Sequence, residues 1–146
     1  MQISKHFTFN ELTHTNHTQF LRRNRLMGER YIRTLRLIAN YILEPVRAIF
    51  GVPVLVSSCF RCPDLNDFIG GSKNSQHLRG EVPDFEVKGI PCKEVFDIIR
   101  IKPHIKYGQL ILESAGSVEW IHCSLPTLEN NGQILIFENG VYRHLK

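Results

Sequence analysis

The sequence predicts an α+β domain in which N-terminal helices pack on a mostly antiparallel sheet. Three observations lead there. Apolar residues recur at helical spacing only in the first third, over residues 29–50. The last third is divided into short extended runs joined by turn-forming residues. Helices come first and hairpins later, an order that argues against a doubly wound parallel sheet.

The elements follow in chain order. Thr8-x-x-Glu11 reads as a capping box opening a short helix. Residues 14–25, with three Arg and several Asn and Thr, read as an irregular connection. Over 29–50, Tyr31, Leu35, Ile38, Ala39, Ile42, Val46 and Ile49 mark one face of the longest helix. Pro45 should kink or divide it near Leu43. Gly51 closes it, and 52–57 form a largely apolar strand. Pro63 suits the first turn of another short helix, which stops at Gly70-Gly71. A strand over 82–87 and a helix over 92–101 come next. Residues 107–112 and 120–124 pair around Ser114-Ala115-Gly116-Ser117, and 133–137 pair with 141–145 around Glu138-Asn139-Gly140.

With 146 residues, the chain fits one domain, 1–146, that can bury its own core. Hydrophobic residues at 42% and charged residues at 22% exclude wholesale disorder. No apolar run reaches the roughly 18–20 residues of a membrane span. The N-terminus has no apolar h-region, so no secretory signal is expected: the protein works where it is made or is delivered by something else. Net charge is +4 and uneven, with eight Lys/Arg against three Asp/Glu in residues 1–50. That excess could attract an anionic polymer, but a mildly basic helix face that keeps the protein soluble explains it better. The four cysteines, Cys59, Cys62, Cys92 and Cys123, are expected to be free thiols.

Chemistry concentrates between Ser57 and Ser124. His77, Asp84 and His122 supply two imidazoles and a carboxylate, a three-ligand zinc set that leaves a fourth position for water. Bound zinc lowers the pKa of water from 15.7 to about 7, and a carboxylate is then wanted to move the proton. Glu119, three residues before His122, is the nearest acid. Positions three apart on a regular strand face opposite sides, so Glu119 serves only from a turn or a bulge. Glu113 is the reserve. Taken singly, each of these residues is more often structural.

Together the residues Ser75-x-His77-x-x-Gly80-x-Val82-x-Asp84 and Glu119-Trp120-Ile121-His122 resemble the zinc D-alanyl-D-alanine carboxypeptidase family of LAS metallopeptidases, which includes phage endolysin peptidases. The segment Ser57-Ser58-Cys59-Phe60-Arg61-Cys62-Pro63-Asp64-Leu65-Asn66 is similar to the family's Ser-Gly-Tyr-Arg-Ser-Pro-x-Leu-Asn stretch. Gly70-Gly71-Ser72, Gln109-Leu110-Ile111 and Phe7-Thr8-Phe9-Asn10-Glu11-Leu12 match its phage and bacterial branch. The likeness covers about residues 6–125. It implies a LAS-type (Hedgehog/D-Ala-D-Ala peptidase-like) fold and one zinc ion on His77, Asp84 and His122. It also implies Glu119 as general base, and Arg61 on a substrate carbonyl or carboxylate. The implied activity is hydrolysis of amide bonds in peptidoglycan stem peptides, as a carboxypeptidase or a wall endopeptidase. A host cytoplasm or virion location, with the wall reached by lysis or delivery, is expected; the sequence leaves the oligomeric state open and favours a monomer. Cys59 stands where the family has Gly, Val82 where Ala is usual, and Pro83 directly precedes Asp84.

Rival readings use other residues. Cys59-Phe60-Arg61-Cys62 after a strand could be a thioredoxin-like redox motif, although no βαβ unit precedes it. All four cysteines could form a structural zinc site, but Cys92 and Cys123 lack a second CxxC. The same fold could be a non-catalytic phage structural or wall-binding protein, or bind nucleic acid through Arg22, Arg23, Arg25, Arg30, Arg33 and Arg36, although no nucleic-acid motif accompanies that charge. His14 and His17 read as exposed histidines.

Overall fold

The computed structural model describes residues 1–145. Helix α1 (Phe9–Leu12) opens with both halves of the capping box: the Thr8 hydroxyl accepts from Glu11 N, and the Glu11 carboxylate accepts from Thr8 N. The stretch read as irregular is instead a 3₁₀ turn, Thr18–Phe20, followed by helix α2 (Leu21–Gly28). Its inward face is made by Asn24 and Gly28, both buried and four residues apart. A Cβ on Gly28 would come 2.7 Å from Thr13 Cγ2, so only glycine lets the helix approach. A helix that buries an amide and a glycine leaves no apolar period to read.

The long helix is divided as Pro45 requires. A 3₁₀ turn at Glu29–Tyr31 leads into α3 (Ile32–Ile38), a single wide π turn occupies Ala39–Leu43, and α4 (Glu44–Phe50) begins with Pro45 in its first turn. The proline cannot donate back to the preceding turn, and the wide π turn lies where that bond would have closed. Leu35, Ile38, Ala39, Ile42, Leu43 and Val46 are buried along this line. Gly51 ends it with φ 69°. Glu44 holds the N-terminal segment to the helix: its carboxylate accepts from Ser4 Oγ (2.6 Å), His6 N (2.7 Å) and His6 Nδ1 (2.7 Å).

Six strands form one sheet: β1 (Val54–Ser58), β2 (Asp84–Val87), β3 (Gln109–Ala115), β4 (Val118–Cys123), β5 (Gln133–Glu138) and β6 (Val141–Leu145). Their spatial order is β1-β2-β4-β3-β5-β6. Every neighbouring pair is antiparallel except β3 and β5, which run parallel. Strand β2 starts two residues later than expected, directly after Pro83, whose carbonyl accepts from Cys123 N at 3.4 Å while its missing N–H falls outside the strand. The last hairpin turns on Asn139 (φ 52°) and Gly140 (φ 74°), the left-handed pair that Asn-Gly favours.

Helix α5 (Pro63–Phe68) follows β1. Helix α6 (Cys92–Arg100) covers one sheet face, packing on β2, β3 and β4. Phe85, Leu110, Leu112 and Ile121 join α6 and the N-terminal helices in one apolar core. All four cysteines are unpaired and buried in it. No described helix is long and apolar enough to cross a membrane.

The opposite face is polar near β2 and β4. Strand register places Asp84, His122, Ile111, Leu135 and His144 in one row across five strands. Trp120, Glu113, Phe137 and Tyr142 form the adjacent row. Opposed residues share a face, so both rows look into one cleft.

Candidate metal centre

His77 lies in the 3₁₀ turn Gln76–Arg79, capped by Ser75, whose hydroxyl accepts from His77 N. Gly80 ends the turn at φ 65°, and a Cβ there would stand 2.9 Å from Leu35 Cδ2. The turn is therefore pressed against α3, and His77 is only 3% exposed. Its Nδ1 is 2.7 Å from the Cys59 carbonyl oxygen. A carbonyl only accepts, so Nδ1 carries the proton and Nε2 presents a lone pair. That lone pair faces Asp84 Oδ2 at 3.2 Å.

Asp84 is the first residue of β2 and bridges to His122 on β4. Its Oδ1 lies 2.9 Å from His122 Nδ1. One ligand atom from each of His77, Asp84 and His122 falls within 4.8 Å of the other two. Tetrahedral zinc with bonds of ~2.0–2.1 Å sets its ligand atoms roughly 3.3 Å apart. Donor types, separations and the carbonyl that orients His77 all fit zinc. Three residues from a loop and two strands thus meet although 45 positions separate His77 from His122 in the chain.

The electrostatics follow from this packing. Burial alone would raise the Asp84 carboxyl, but the neighbouring imidazoles of His77 and His122 hold it well below the usual carboxylate range. Burial would lower His122, yet Asp84, with Glu113 behind it, lifts the imidazole above its ordinary value. Glu113 Oε1 lies 3.4 Å from His122 Nδ1. Burial and the nearby Asp84 charge push the Glu113 carboxyl up, against the pull of His122 and Arg61.

Arg61 reaches the same cleft from the loop after β1. Its backbone N–H donates to His77 O at 2.9 Å, and Nη2 donates to Ser75 Oγ at 3.2 Å. Its Nε is buried without a hydrogen-bond partner among the described residues, as is Trp120 Nε1 beside the cluster. Asn24 fixes this loop. Its Nδ2 donates to Phe60 O (3.0 Å) and Thr13 O (2.7 Å), and its Oδ1 accepts from Cys62 N (2.7 Å). Nothing in the sequence pattern marked Asn24, because a polar residue in an Arg-rich stretch reads as solvated.

Glu119 is not brought to the cluster. β4 runs unbroken opposite β3 from Val118 to Cys123, with no bulge to re-aim it. Trp120 and His122 face the cleft, whereas Glu119 is exposed on the other side, its carbonyl accepting from Cys92 Sγ. The acid in the cleft is Glu113, directly opposite Trp120 on β3. Cys59 is not among the residues of positive φ, so its backbone has no need of the family's glycine. Val82 is fully buried, two residues before Asp84.

The rival sulfur readings find little support. Cys59 and Cys62 are fully buried, and burial pushes the Cys59 thiol up, the reverse of an activated redox cysteine. Cys123 is likewise pushed up, to about 12. His14 and His17 lie outside the cluster, His14 beside Asn16 and His17 against Phe68.

The cleft encloses about 710 Å³ and runs from Arg61 and Asn74, past the cluster, to Gln133 and Tyr142. That volume lies within the usual range of ligand sites. Comparison with curated proteins gives no match. The family model described as Peptidase M15 matches residues 5–124, a segment that holds His77, Asp84, Glu113 and His122. A match over most of the chain, around a donor set suited to the metal of that family, makes this protein a member of the Peptidase M15 zinc metallopeptidases.

Proposed function

We propose that the protein hydrolyses amide bonds in peptidoglycan stem peptides, with one zinc ion held by His77, Asp84 and His122. The observation that carries this reading is the meeting of that donor set with a half-buried acid, Glu113, and a guanidinium, Arg61, in one polar cleft. Zinc bound there supplies an acidified water and polarises the scissile carbonyl. Glu113 is the general base: its raised pKa suits a group that takes a proton at Oε1 and returns it to the departing amine nitrogen. Arg61 binds the oxygen on which charge builds. It is held by Ser75, and its Nε has a donor to spare. Asp84 keeps both imidazoles turned toward a common point, and Cys59 O fixes the His77 tautomer.

The test is digestion of purified sacculi and of a soluble stem pentapeptide, with new amino groups and fragment masses as readout. Cleavage should stop on chelation and return with zinc, and the protein should bind one zinc per chain. His77→Ala should lose that zinc. Hydrolysis indifferent to chelation, or full zinc occupancy in His77→Ala, would overturn the assignment. Binding to wall or nucleic acid that collapses between low and moderate salt, with no cleavage, would favour a non-catalytic role instead.

A further inference from the structure

The family match ends at residue 124, and strands β5 and β6 lie beyond it. They nevertheless build one wall of the cleft. Parallel pairing with β3 sets Leu135 opposite Ile111 and Phe137 opposite Glu113. Antiparallel pairing with β6 then sets His144 opposite Leu135 and Tyr142 opposite Phe137. Tyr142 and His144 therefore stand on the face that carries Glu113 and His122, and both line the same cavity. The Tyr142 ring lies on Phe137 with centroids 4.4 Å apart, yet the residue stays 55% exposed. An aromatic fixed by a stack but left wet at its rim offers a placed surface and a polar tip. Partial burial, with the negative charges of Glu113 and Asp84, holds the phenol above its ordinary value, so at neutral pH it is an O–H donor.

Arg61 and Tyr142 lie toward opposite ends of the strand order, with the metal-binding side chains between them. Two strand spacings of about 4.8 Å put β6 roughly 10 Å from β3, the span of two or three extended residues at roughly 3.3 Å each.

We propose that Tyr142 is a substrate-positioning residue whose hydroxyl donates to a backbone carbonyl of the peptide, two or three residues from the cut bond and on the side away from Arg61. This rests on the peptidase reading above and adds a substrate class to it: an extended peptide that continues on both sides of the cut bond. A dipeptide fills only the part of the cleft near the metal ligands.

The experiment is calorimetric titration of zinc-loaded protein in a Glu113→Gln background, which blocks turnover. The probes are the stem pentapeptide and D-alanyl-D-alanine. The variants are Tyr142→Phe and, as a control outside the cleft, Tyr41→Phe, 63% exposed in the turn before α4. Tyr142→Phe should weaken pentapeptide binding about threefold to tenfold, the worth of one net hydrogen bond. Dipeptide binding, zinc content and melting temperature should stay unchanged, and in the Glu113 enzyme KM should rise with kcat nearly constant. Equal pentapeptide affinity in parent and Tyr142→Phe would overturn the Tyr142 assignment and leave the peptidase reading standing. Equal weakening of both probes would put the hydroxyl beside the cut bond and overturn it too. Failure of the parent to bind either probe would sink the peptidase reading and this inference together.

Discussion

Replacing Asn24 by Ala tests how the site loop is held. The wild-type carboxamide makes three buried hydrogen bonds, to Thr13 O, Phe60 O and Cys62 N. Each is worth about 1 kcal/mol net, and the backbone groups left behind add a desolvation penalty of ~1–3 kcal/mol where water cannot reach them. Alanine's better helix propensity offsets about 0.5 kcal/mol. The expected loss is about 3.5–5.5 kcal/mol, a large part of the 5–15 kcal/mol typical of a domain. With a urea m-value of about 2 kcal/mol/M, the unfolding midpoint should fall by about 1.8–2.8 M at unchanged m. Because Cys59 O and Arg61 ride on the same loop, zinc affinity should fall as well. Asn24→Asp separates orientation from size. It keeps the acceptor for Cys62 N but turns an oxygen toward two carbonyls, so it should be worse than alanine at neutral pH. An aspartate so placed has a raised folded pKa, so its stability should recover as pH falls. A midpoint shift below 0.5 M in Asn24→Ala, or an aspartate variant as stable as wild type at pH 7, would refute the reasoning.

Three further outcomes follow from the same coordinates. Glu113→Gln should keep zinc and lose roughly 10²–10⁴ of the hydrolysis rate, whereas Glu119→Gln should change it by less than about threefold; the reverse ranking in initial-rate assays would return the base role to Glu119. Burial opposes ionisation of Glu44, but the hydrogen bonds from His6 and Ser4 outweigh it and lower its pKa. Its stabilising contribution is therefore complete above the unfolded value of about 4.3 and is lost as pH falls through the lower folded value. Urea midpoints should drop more steeply below pH 4 in wild type than in Glu44→Gln, and parallel pH profiles would dismiss the clasp. Gly80→Ala should destabilise the protein by more than about 1 kcal/mol, since it strains a left-handed residue and crowds Leu35. An unchanged melting temperature would show that the His77 turn tolerates a side chain.

The parts of the fold that sequence displayed are those with local causes. Thr8 and Glu11 cap each other within one turn, Gly51 and Asn139-Gly140 take left-handed backbone, and Pro45 sits just past the wide turn that divides the helix. The ligand set was legible because zinc chemistry restricts residue type, and His77, Asp84 and His122 do converge. The choice between Glu113 and Glu119 turned on one bit, which face of the sheet each residue serves. Sequence spacing stated that alternation, and the unbroken β3–β4 register puts Glu113 on the cleft face and Glu119 on the other. Helix α2 was hidden because its buried face is Asn24 and Gly28. The parallel β3–β5 pairing was invisible for a different reason, since partners 24 residues apart leave no periodic trace.

That pairing also decides where the polypeptide can be shortened. Strand β3 carries the run Leu110-Ile111-Leu112, all buried, and β5 occupies its free margin. Ending the chain where the family match stops would strip that margin bare and leave a row of unsatisfied amides beside greasy side chains, a ready template for self-association. Clumping, and not merely a shallower groove, is what such a minimal version would face. Strands β5 and β6 thus shield the margin of the strand they extend.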